Sequence, residues 1–516
     1  MTIALDPAAT RATADATRGL AQRFIATGLS PDAFRILGRT GLTVSALGFG
    51  AYRVDVRSPE HRRALEQALR AGCNLIDTST NYADGESEAC IGATLEKGFL
   101  QGGVSRAETV VVSKIGYVQG HNLDLARRRE TSGDPFPEMV KISEGCWHCL
   151  HPSFLEDQLT RSLQRLKLTC LDACLLHNPE YFLEQAHRRG QGPASARQEF
   201  YRRIQAAFTH FEKEVQAGRI AWYGVSSNSF GAEPTDPEAT SLGKMLEAAG
   251  AAAQEAGSGG GSHHFALAQL PMNLFEHGPL TVRKEGPAGN RSCLALAAEN
   301  GIGVLVNRPL NAFRRGEMIR LADFPMAAPG VSIEEAQQRV RSLEDEFDQE
   351  IGSHLRTNSG GRVRRLFDWG EQLAGTAGQV GGYEHWQSIQ DHQISPRLFH
   401  AVGALRSGLS PELSVKFEAW LERYLSVLGD FLAIFRSQAA AISQRRSDGF
   451  AALLNPALAE ELRPETLSRK ALHAVASVPG VSCVLNGMRH PDYVTDSMGI
   501  MRWNPIPDAD KLFGLL

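Results

Sequence analysis

Three ionisable residues each close a short apolar run of the chain. Asp77 ends CNLID, Lys114 ends TVVVSK and His177 ends LDACLLH, and Tyr82 lies five residues beyond Asp77. A carboxylate, an ammonium, an imidazole and a phenol brought together suit proton transfer. A free phenol, with a pKa of about 10, is a poor donor at neutral pH. A nearby ammonium lowers that value by favouring the phenolate, and a carboxylate beside the ammonium keeps it charged. Taken singly, Asp77 and Lys114 read equally well as a buried ion pair, and His177 as a hydrogen-bonded core residue. Their shared position at run ends asks for a common explanation.

Eight runs of this kind occur: SALGFG (45–50), CNLIDT (73–78), TVVVSK (109–114), LDACLLH (171–177), IAWYGVSS (220–227), FALAQL (265–270), IGVLVN (302–307) and VSCVLN (481–486). Each is almost continuously apolar, as strands buried on both faces are. Amphipathic stretches at 58–71, 86–98, 153–166, 198–217, 238–252, 289–300 and 466–478 separate them, and 491–500 follows the last. Eight strands each paired with a helix predict an α/β fold, a closed (β/α)8 TIM barrel. An open doubly wound sheet would carry a Gly-rich phosphate turn after its first strand. LGFGAYRV has Val54 where the last glycine of that turn would stand. In a parallel barrel the strand C-termini form one rim, so Asp77, Tyr82, Lys114 and His177 converge there. FRILGRTGLTV (34–44) reads as an N-terminal β-hairpin ahead of the barrel.

One stretch breaks the rhythm. From Asn311 to Pro464 the chain is far longer than a barrel connection needs. Ser410-Pro411 reads as a helix start. Phe417, Leu421, Tyr424, Leu428, Phe431 and Phe435 then recur at steps of three and four, one apolar face. We therefore read an N-terminal extension at 1–33, the barrel at 34–313 and 464–516, and a mainly helical insert at 314–463 after strand 7. The apolar stripe must bury against the insert itself, the barrel or a second copy, and the last outcome would make a homo-oligomer. GSGGGSHH (257–264) reads as a flexible loop.

Composition bounds the partners. With 54 Lys+Arg against 58 Asp+Glu over 516 residues, the chain lacks the basic surplus that phosphate backbones demand. No window holds the ~18 uncharged apolar residues of a membrane helix. The first twenty residues lack a basic segment followed by an apolar run. Eight Cys are too few for a disulfide scaffold and suit a reducing compartment. We expect a cytoplasmic protein acting on a small molecule, with neither a nucleic-acid nor a membrane partner. GCWHCLH (145–151) holds a Cys-x-x-Cys with His148 and His151, but a zinc site needs four ligands. Cys73, Cys170, Cys174 and Cys483 lie in or beside strand-like runs, so we expect no metal. The loop reads instead as a wall of the substrate pocket or, equally, as an ordered surface loop. Tyr52, Trp147 and His148 are the candidate substrate contacts.

On these residues the chain resembles the aldo-keto reductase superfamily. NLIDTSTNYADGESEACIG (74–92) is similar to the family's Asp…Tyr segment, VVVSKIG (110–116) carries its Lys and LLHNP (175–179) its His. The likeness continues through GRIAWYGVSSNSF (218–230), AQLPMN (268–273), VLVNRPLNA (304–312) and VSCVLNGMRHPDYVTDSMG (481–499). The resemblance implies an NADP(H)-dependent oxidoreductase that interconverts an aldehyde, ketone or sugar carbonyl and an alcohol. It implies Tyr82 as general acid, Lys114 as its electrostatic modulator, Asp77 as partner of Lys114, and His177 orienting the carbonyl oxygen or relaying the proton. It implies cofactor contacts at Gly50, Ala51, Ser226, Asn228, Gln269, Asn307, Pro309, Leu310, Gly487, Arg489 and Asp496. Arg489 stands where the adenosine 2′-phosphate is usually held and can grip a phosphate bidentately. This favours NADP(H), with NAD(H) second. Three positions depart from the pattern. Asn307 replaces the aromatic ring that many members place against the nicotinamide, Asn228 sits one place late, and Asp496 replaces the usual Glu. The alternative from another class is a cofactor-binding regulatory or interaction protein of the same fold, as in barrel subunits of potassium channels.

Overall fold

The computed structural model describes residues 10–101, 103, 105–257, 262–314, 317–324, 330–355, 366–373, 375 and 380–516. Residues 258–261 of the expected Gly/Ser loop lie outside them. Eight parallel strands close a barrel in sequence order. They are β1 (Leu47–Gly50), β2 (Leu75–Asp77), β3 (Val110–Ile115), β4 (Leu171–His177), β5 (Ile220–Ser226), β6 (Phe265–Pro271), β7 (Gly303–Asn307) and β8 (Cys483–Asn486). The principal helices are α1 (Pro59–Arg70), α2 (Glu86–Leu100), α3 (Pro152–Leu166), α4 (Pro193–Gln216), α5 (Leu242–Glu255), α6 (Cys293–Glu299), α7 (Leu467–Ala476) and α8 (Pro491–Met498). The expected TIM barrel is therefore the observed fold.

Local chemistry sets where the helices start. Ser58, Ser241, Ser292 and Thr466 each accept a backbone N–H of the following first turn. Pro59, Pro152, Pro193 and Pro491 open their helices. There the missing N–H costs nothing and φ is already helical.

The run read as one strand at 45–50 divides at Ala46. Thr43–Ser45 pairs antiparallel with Phe34–Ile36, and only Leu47–Gly50 enters the barrel. This hairpin closes the N-terminal end of the barrel. Leu37, Leu42 and Val44 pack with Leu75, Val110, Val112, Ala173, Leu175, Leu267, Leu305 and Cys483 in one core cluster. Gly38 at the hairpin turn has φ +52, and a Cβ there would lie 2.3 Å from the Gly303 nitrogen. Only glycine fits both demands.

Two further elements differ from the reading of the sequence. The loop after β3 contains a helix, Gly120–Thr131, and a small antiparallel sheet of Tyr117–Val118, Val140–Ser143 and Cys146–His148. After β7 comes a second hairpin, Asn311–Arg314 with Glu317–Arg320.

The chain divides into two units, residues 1–321 with 454–516, and 322–453. The second unit is helical and has its own core. Its long helix, Pro411–Leu454, buries Phe417, Leu421, Tyr424, Leu428, Phe431 and Phe435, none more than 4% exposed. They pack with Trp420, Phe347, Phe367 and Trp386. Glu344 is buried there, accepting the Tyr424 hydroxyl at 2.8 Å and the Gly370 N–H at 3.1 Å. By length and composition alone, Pro411–Ala457 is long and apolar enough to cross a membrane. Its apolar stripe is occupied by the unit's own core, as in a buried helix. That stripe is therefore not a free face for self-association.

Asp172, at the start of β4, accepts the backbone N–H of Ala12 at 2.7 Å, that of Val111 at 2.7 Å and Arg106 at 2.8 Å. Both partners of this ion pair are buried. We predict that Asp172→Ala strands the Arg106 charge and lowers the stability of the barrel unit by about 3–5 kcal/mol. Denaturant unfolding followed by far-UV circular dichroism measures it.

Candidate active site

Strand register builds the site. Asp77 pairs with Gly50 and Val112, Lys114 with Leu175, His177 with Ser226, Ser226 with Gln269, and Pro271 with Asn307. Six polar side chains thus stand at the ends of β2 to β7, on the rim where barrel strands deliver chemistry. Lys114, fully buried, donates to both Asp77 oxygens, at 2.7 and 2.6 Å. Gln269 Nε2 donates to Asp77 Oδ1 at 2.7 Å. Gln269 Oε1 in turn accepts Ser226 Oγ at 3.1 Å and Asn307 Nδ2 at 3.3 Å. One hydrogen-bonded chain therefore runs from Lys114 across five strand ends.

Tyr82 lies beside this chain, with the Lys114 ammonium 5.0 Å from its ring centroid. Its ring stands edge-on to His177 at 5.9 Å and to Tyr52 at 5.3 Å. The turn after it is strained. Ala83 and Asp84 have φ of 48° and 58°, followed by Gly85 at 94°. A left-handed alanine costs roughly 1–2 kcal/mol. Asp84 holds the turn by accepting the His121 N–H at 3.0 Å and pairing with the His121 ring. His177 is fixed through Nδ1, 3.0 Å from Ser79 Oγ, while its carbonyl accepts His148 Nε2 at 2.7 Å.

Burial dominates the electrostatics. It pulls the Lys114 ammonium below its usual pKa, and Asp77 opposes that. Burial, with the Lys114 charge second, holds His177 well below the usual imidazole value, and burial lowers His148 to about 4. Both rings are neutral at pH 7. The phenol of Tyr82 is pushed well above 10 by burial first and by the Asp77 charge next. The sequence reading anticipated a fall caused by Lys114. With the ammonium drawn onto Asp77, desolvation wins and Tyr82 is firmly protonated.

The remaining candidates fall into groups. Gly50 and Ala51 lie at the end of β1, and the Ala51 N–H bonds the Asp77 carbonyl at 2.9 Å. Asn228 follows β5, its N–H bonded to Glu180. Pro309 and Leu310 form the turn after β7, and the Leu310 carbonyl accepts Leu321 N–H at 2.8 Å. Gly487 and Arg489 are exposed beyond β8. Asp496 is engaged elsewhere, accepting Ser468 Oγ at 2.6 Å and pairing with Arg469 at 3.1 Å. Trp147 and His148 are neighbours on one strand, so they face opposite ways. His148 meets His177, whereas Trp147 sits under Lys141, 4.2 Å from its ring. Among the described residues no group of three His, Cys, Asp or Glu is arranged to hold a metal.

Sequence reasoning missed four residues. Tyr117 lies edge-on to His177 at 4.7 Å, and its hydroxyl bonds Tyr181 at 3.0 Å and Asn178 at 2.8 Å. Ser79 and Tyr117 each follow a strand end within three residues, a signal the rim rule supplies. Asn178 and Tyr181 follow the end of β4 by one and four residues.

A family model described as Aldo/keto reductase family matches residues 46–323, more than half of the chain. A Schizosaccharomyces pombe protein described as a voltage-gated potassium channel subunit beta is 30% identical over 151 residues, 28% of this chain and 37% of its own. An L-galactose dehydrogenase of Arabidopsis thaliana is 31% identical over 144 residues, 26% and 44%. An NADH-specific methylglyoxal reductase of Escherichia coli is 28% identical over 149 residues, 27% and 40%. The chain thus spans less than half the length of these three relatives.

Asp77 is what holds the Lys114 pKa up. In Asp77→Asn the ammonium falls further below 10.5, so the unfolded chain binds more protons than the folded one below that pH. We predict that stability of Asp77→Asn rises with pH towards 10.5 more steeply than wild type, by up to about 1.4 kcal/mol per pH unit. Denaturant titrations between pH 7 and 10 measure the slope.

Proposed function

The chain belongs to the aldo/keto reductase family, and on that premise we propose that it is an oxidoreductase interconverting a small-molecule carbonyl and an alcohol with a nicotinamide dinucleotide. One observation carries the reading. A protonated Tyr82 sits beside the buried Lys114–Asp77 pair with a neutral His177 against its ring, all at the barrel rim. The donor set beside it fits a primary carboxamide. Ser226 Oγ, the Gln269 amide and the Asn307 amide converge from three neighbouring strands, and Asn307 Oδ1 is buried without a partner. When bound, the dinucleotide supplies or accepts the hydride.

The residues divide the remaining work. Tyr82 gives its proton to the carbonyl oxygen in reduction and takes it back in oxidation. A phenol whose pKa is raised this far does not ionise unaided. Lys114 offsets the charge that grows on its oxygen during transfer, and Asp77 keeps Lys114 protonated. His177, neutral, has one N–H, and Ser79 fixes its orientation so that the ring aligns the carbonyl. Tyr52, Tyr117 and Tyr181 supply aromatic surface around the reacting group, and His148 supports His177 from behind. Arg489 is exposed and has no ion-pair partner among the described residues. It supports NADP(H) as the preferred cofactor, with NAD(H) second. Arg308, the cation next to Asn307, is held by Glu276 at 3.0 Å and lies over Phe313.

Two variants test this. Tyr82→Phe keeps the ring and removes the proton, and should reduce aldehyde turnover by about 10²–10⁴-fold while dinucleotide affinity stays within a few-fold. Arg489→Ala should weaken NADPH more than NADH, read by fluorescence titration, because only NADPH carries the 2′-phosphate. Tight NADPH binding with no turnover of any aldehyde by the wild type would favour the second reading, a cofactor-binding regulatory subunit. The similarity to the channel subunit supports that reading.

A further inference from the structure

Glu180 lies three residues after His177, on the loop that leaves β4. Its carboxylate is buried, 6% exposed. Oε1 accepts the backbone N–H of Asn228 at 2.8 Å, and Oε2 is buried with no hydrogen bond. The Asn178 N–H bonds the Ser226 carbonyl at 2.7 Å, so the same loop is joined twice to the segment after β5. Asn178 reaches this position in a left-handed conformation, φ 50°. No cation pairs with Glu180 among the described residues. The groups that face it are Glu238, the Tyr117 and Tyr181 phenols, and the Ser227 hydroxyl. Beyond them, Glu184 and Asp236 bear on Glu238, and Arg188 and His187 oppose them. Lys284, the cation of the neighbouring loop, is committed to the carbonyls of Ser229 and Ala232, at 3.2 and 2.8 Å.

We infer that Glu180 is a positioning carboxylate of the nicotinamide site whose charge distinguishes the two redox forms of the cofactor. The inference rests on the reading of Ser226, Asn228 and Gln269 as the nicotinamide-binding groups. A buried carboxylate without a cation is unstable unless it is protonated or a positive charge arrives. An oxidised nicotinamide is a cationic pyridinium, and the reduced ring is neutral. Ionised Glu180 therefore favours the oxidised dinucleotide, and protonated Glu180 accommodates the reduced one. Binding of NADP⁺ releases a proton from Glu180 to solvent, and binding of NADPH does not.

The balance lies in the physiological range. Burial pushes the Glu180 carboxyl up to about 7. The neighbouring His177 and His148 are neutral throughout that range, so they do not compete for the signal. Ionised Glu180 also accepts the Asn228 N–H more strongly than its protonated form does. The segment after β5 is thus held most firmly when the oxidised cofactor is favoured.

The test is calorimetric and needs no turnover. NADP⁺ and NADPH are titrated into the wild-type protein between pH 5.5 and 8.5, in two buffers of different ionisation enthalpy. The ratio of the two Kd values should shift towards NADP⁺ by about tenfold per pH unit at most through the region of 7, with proton release on NADP⁺ binding alone. Glu180→Gln keeps the shape, and should bind both forms with a ratio that no longer depends on pH. A wild-type ratio independent of pH overturns the inference, as does pH dependence that survives in Glu180→Gln. The wild-type measurement stands without the variant should the latter fail to fold. If neither dinucleotide binds, the reading of the site falls and the inference falls with it. Binding of both without proton linkage leaves the site reading intact and removes only the role of Glu180.

Discussion

The pair formed by Lys114 and Asp77 is the constraint on which the rim depends. Two opposite charges buried together contribute little net stability, because desolvation offsets their attraction. Such a pair persists only when every remaining polar group around it is satisfied. Here Lys114 reaches both Asp77 oxygens, Gln269 supplies a further donor, and Ser79 and Thr80 hydroxyls bond the Lys114 carbonyl at 3.1 and 3.2 Å. These demands bring β2, β3 and β6 to one registration. The partners of Gln269 then draw in β5 and β7. A shift of one residue in any of these strands would turn its polar end residue to the opposite face. The closed register of the barrel and the polar chain on its rim are therefore one requirement expressed twice.

The opposite end of the barrel supports this by exclusion. The hairpin with Leu37, Leu42 and Val44 fills the N-terminal mouth, and Asp172 with Arg106 fastens the chain from Ala12 to β3 and β4. With that end closed, Lys114 and Asp77 are both buried. Low dielectric there is what separates the protonation states: Tyr82 and His177 neutral, Lys114 cationic against Asp77.

The fold was legible because barrel strands are buried on both faces and so read as continuous apolar runs, each closed by whatever the rim requires. Asp77, Lys114 and His177 were legible for the same reason. Where the chain leaves that regime, the signal weakens. The sheet containing Tyr117 and His148 consists of strands of two to four residues, too short for alternation to show. That alternation is what turns Trp147 away from His148. Ala46 has nothing in its own type to mark the break between hairpin and barrel. The helix face of Phe417 to Phe435 was visible at steps of three and four. Its burial partners, such as Phe347 and Trp386, lie too far along the chain for any local period to reveal them. Asp496 occupies the expected place, and there its carboxylate also bonds Ser468 and Arg469, contacts that position alone does not reveal.

Asn307 shows how one substitution changes the logic of such a rim. An aromatic ring at this position would offer a flat apolar surface and leave Gln269 Oε1 with one donor fewer. Asparagine instead donates to Gln269 Oε1, which also takes the Ser226 hydroxyl, while Gln269 Nε2 is held by Asp77. The Gln269 amide is thereby fixed in orientation, because its donor end faces a carboxylate and its acceptor end faces two donors. A carboxamide entering this site meets a preset pattern rather than a mobile side chain, so less ordering accompanies binding. The preset also makes Ser226, Gln269, Asn307 and the Lys114–Asp77 pair a single hydrogen-bonded unit. On the proposed reading, what stacking would have contributed as contact area is replaced by a direct polar connection from Asn307 and Ser226 through Gln269 to the Lys114–Asp77 pair.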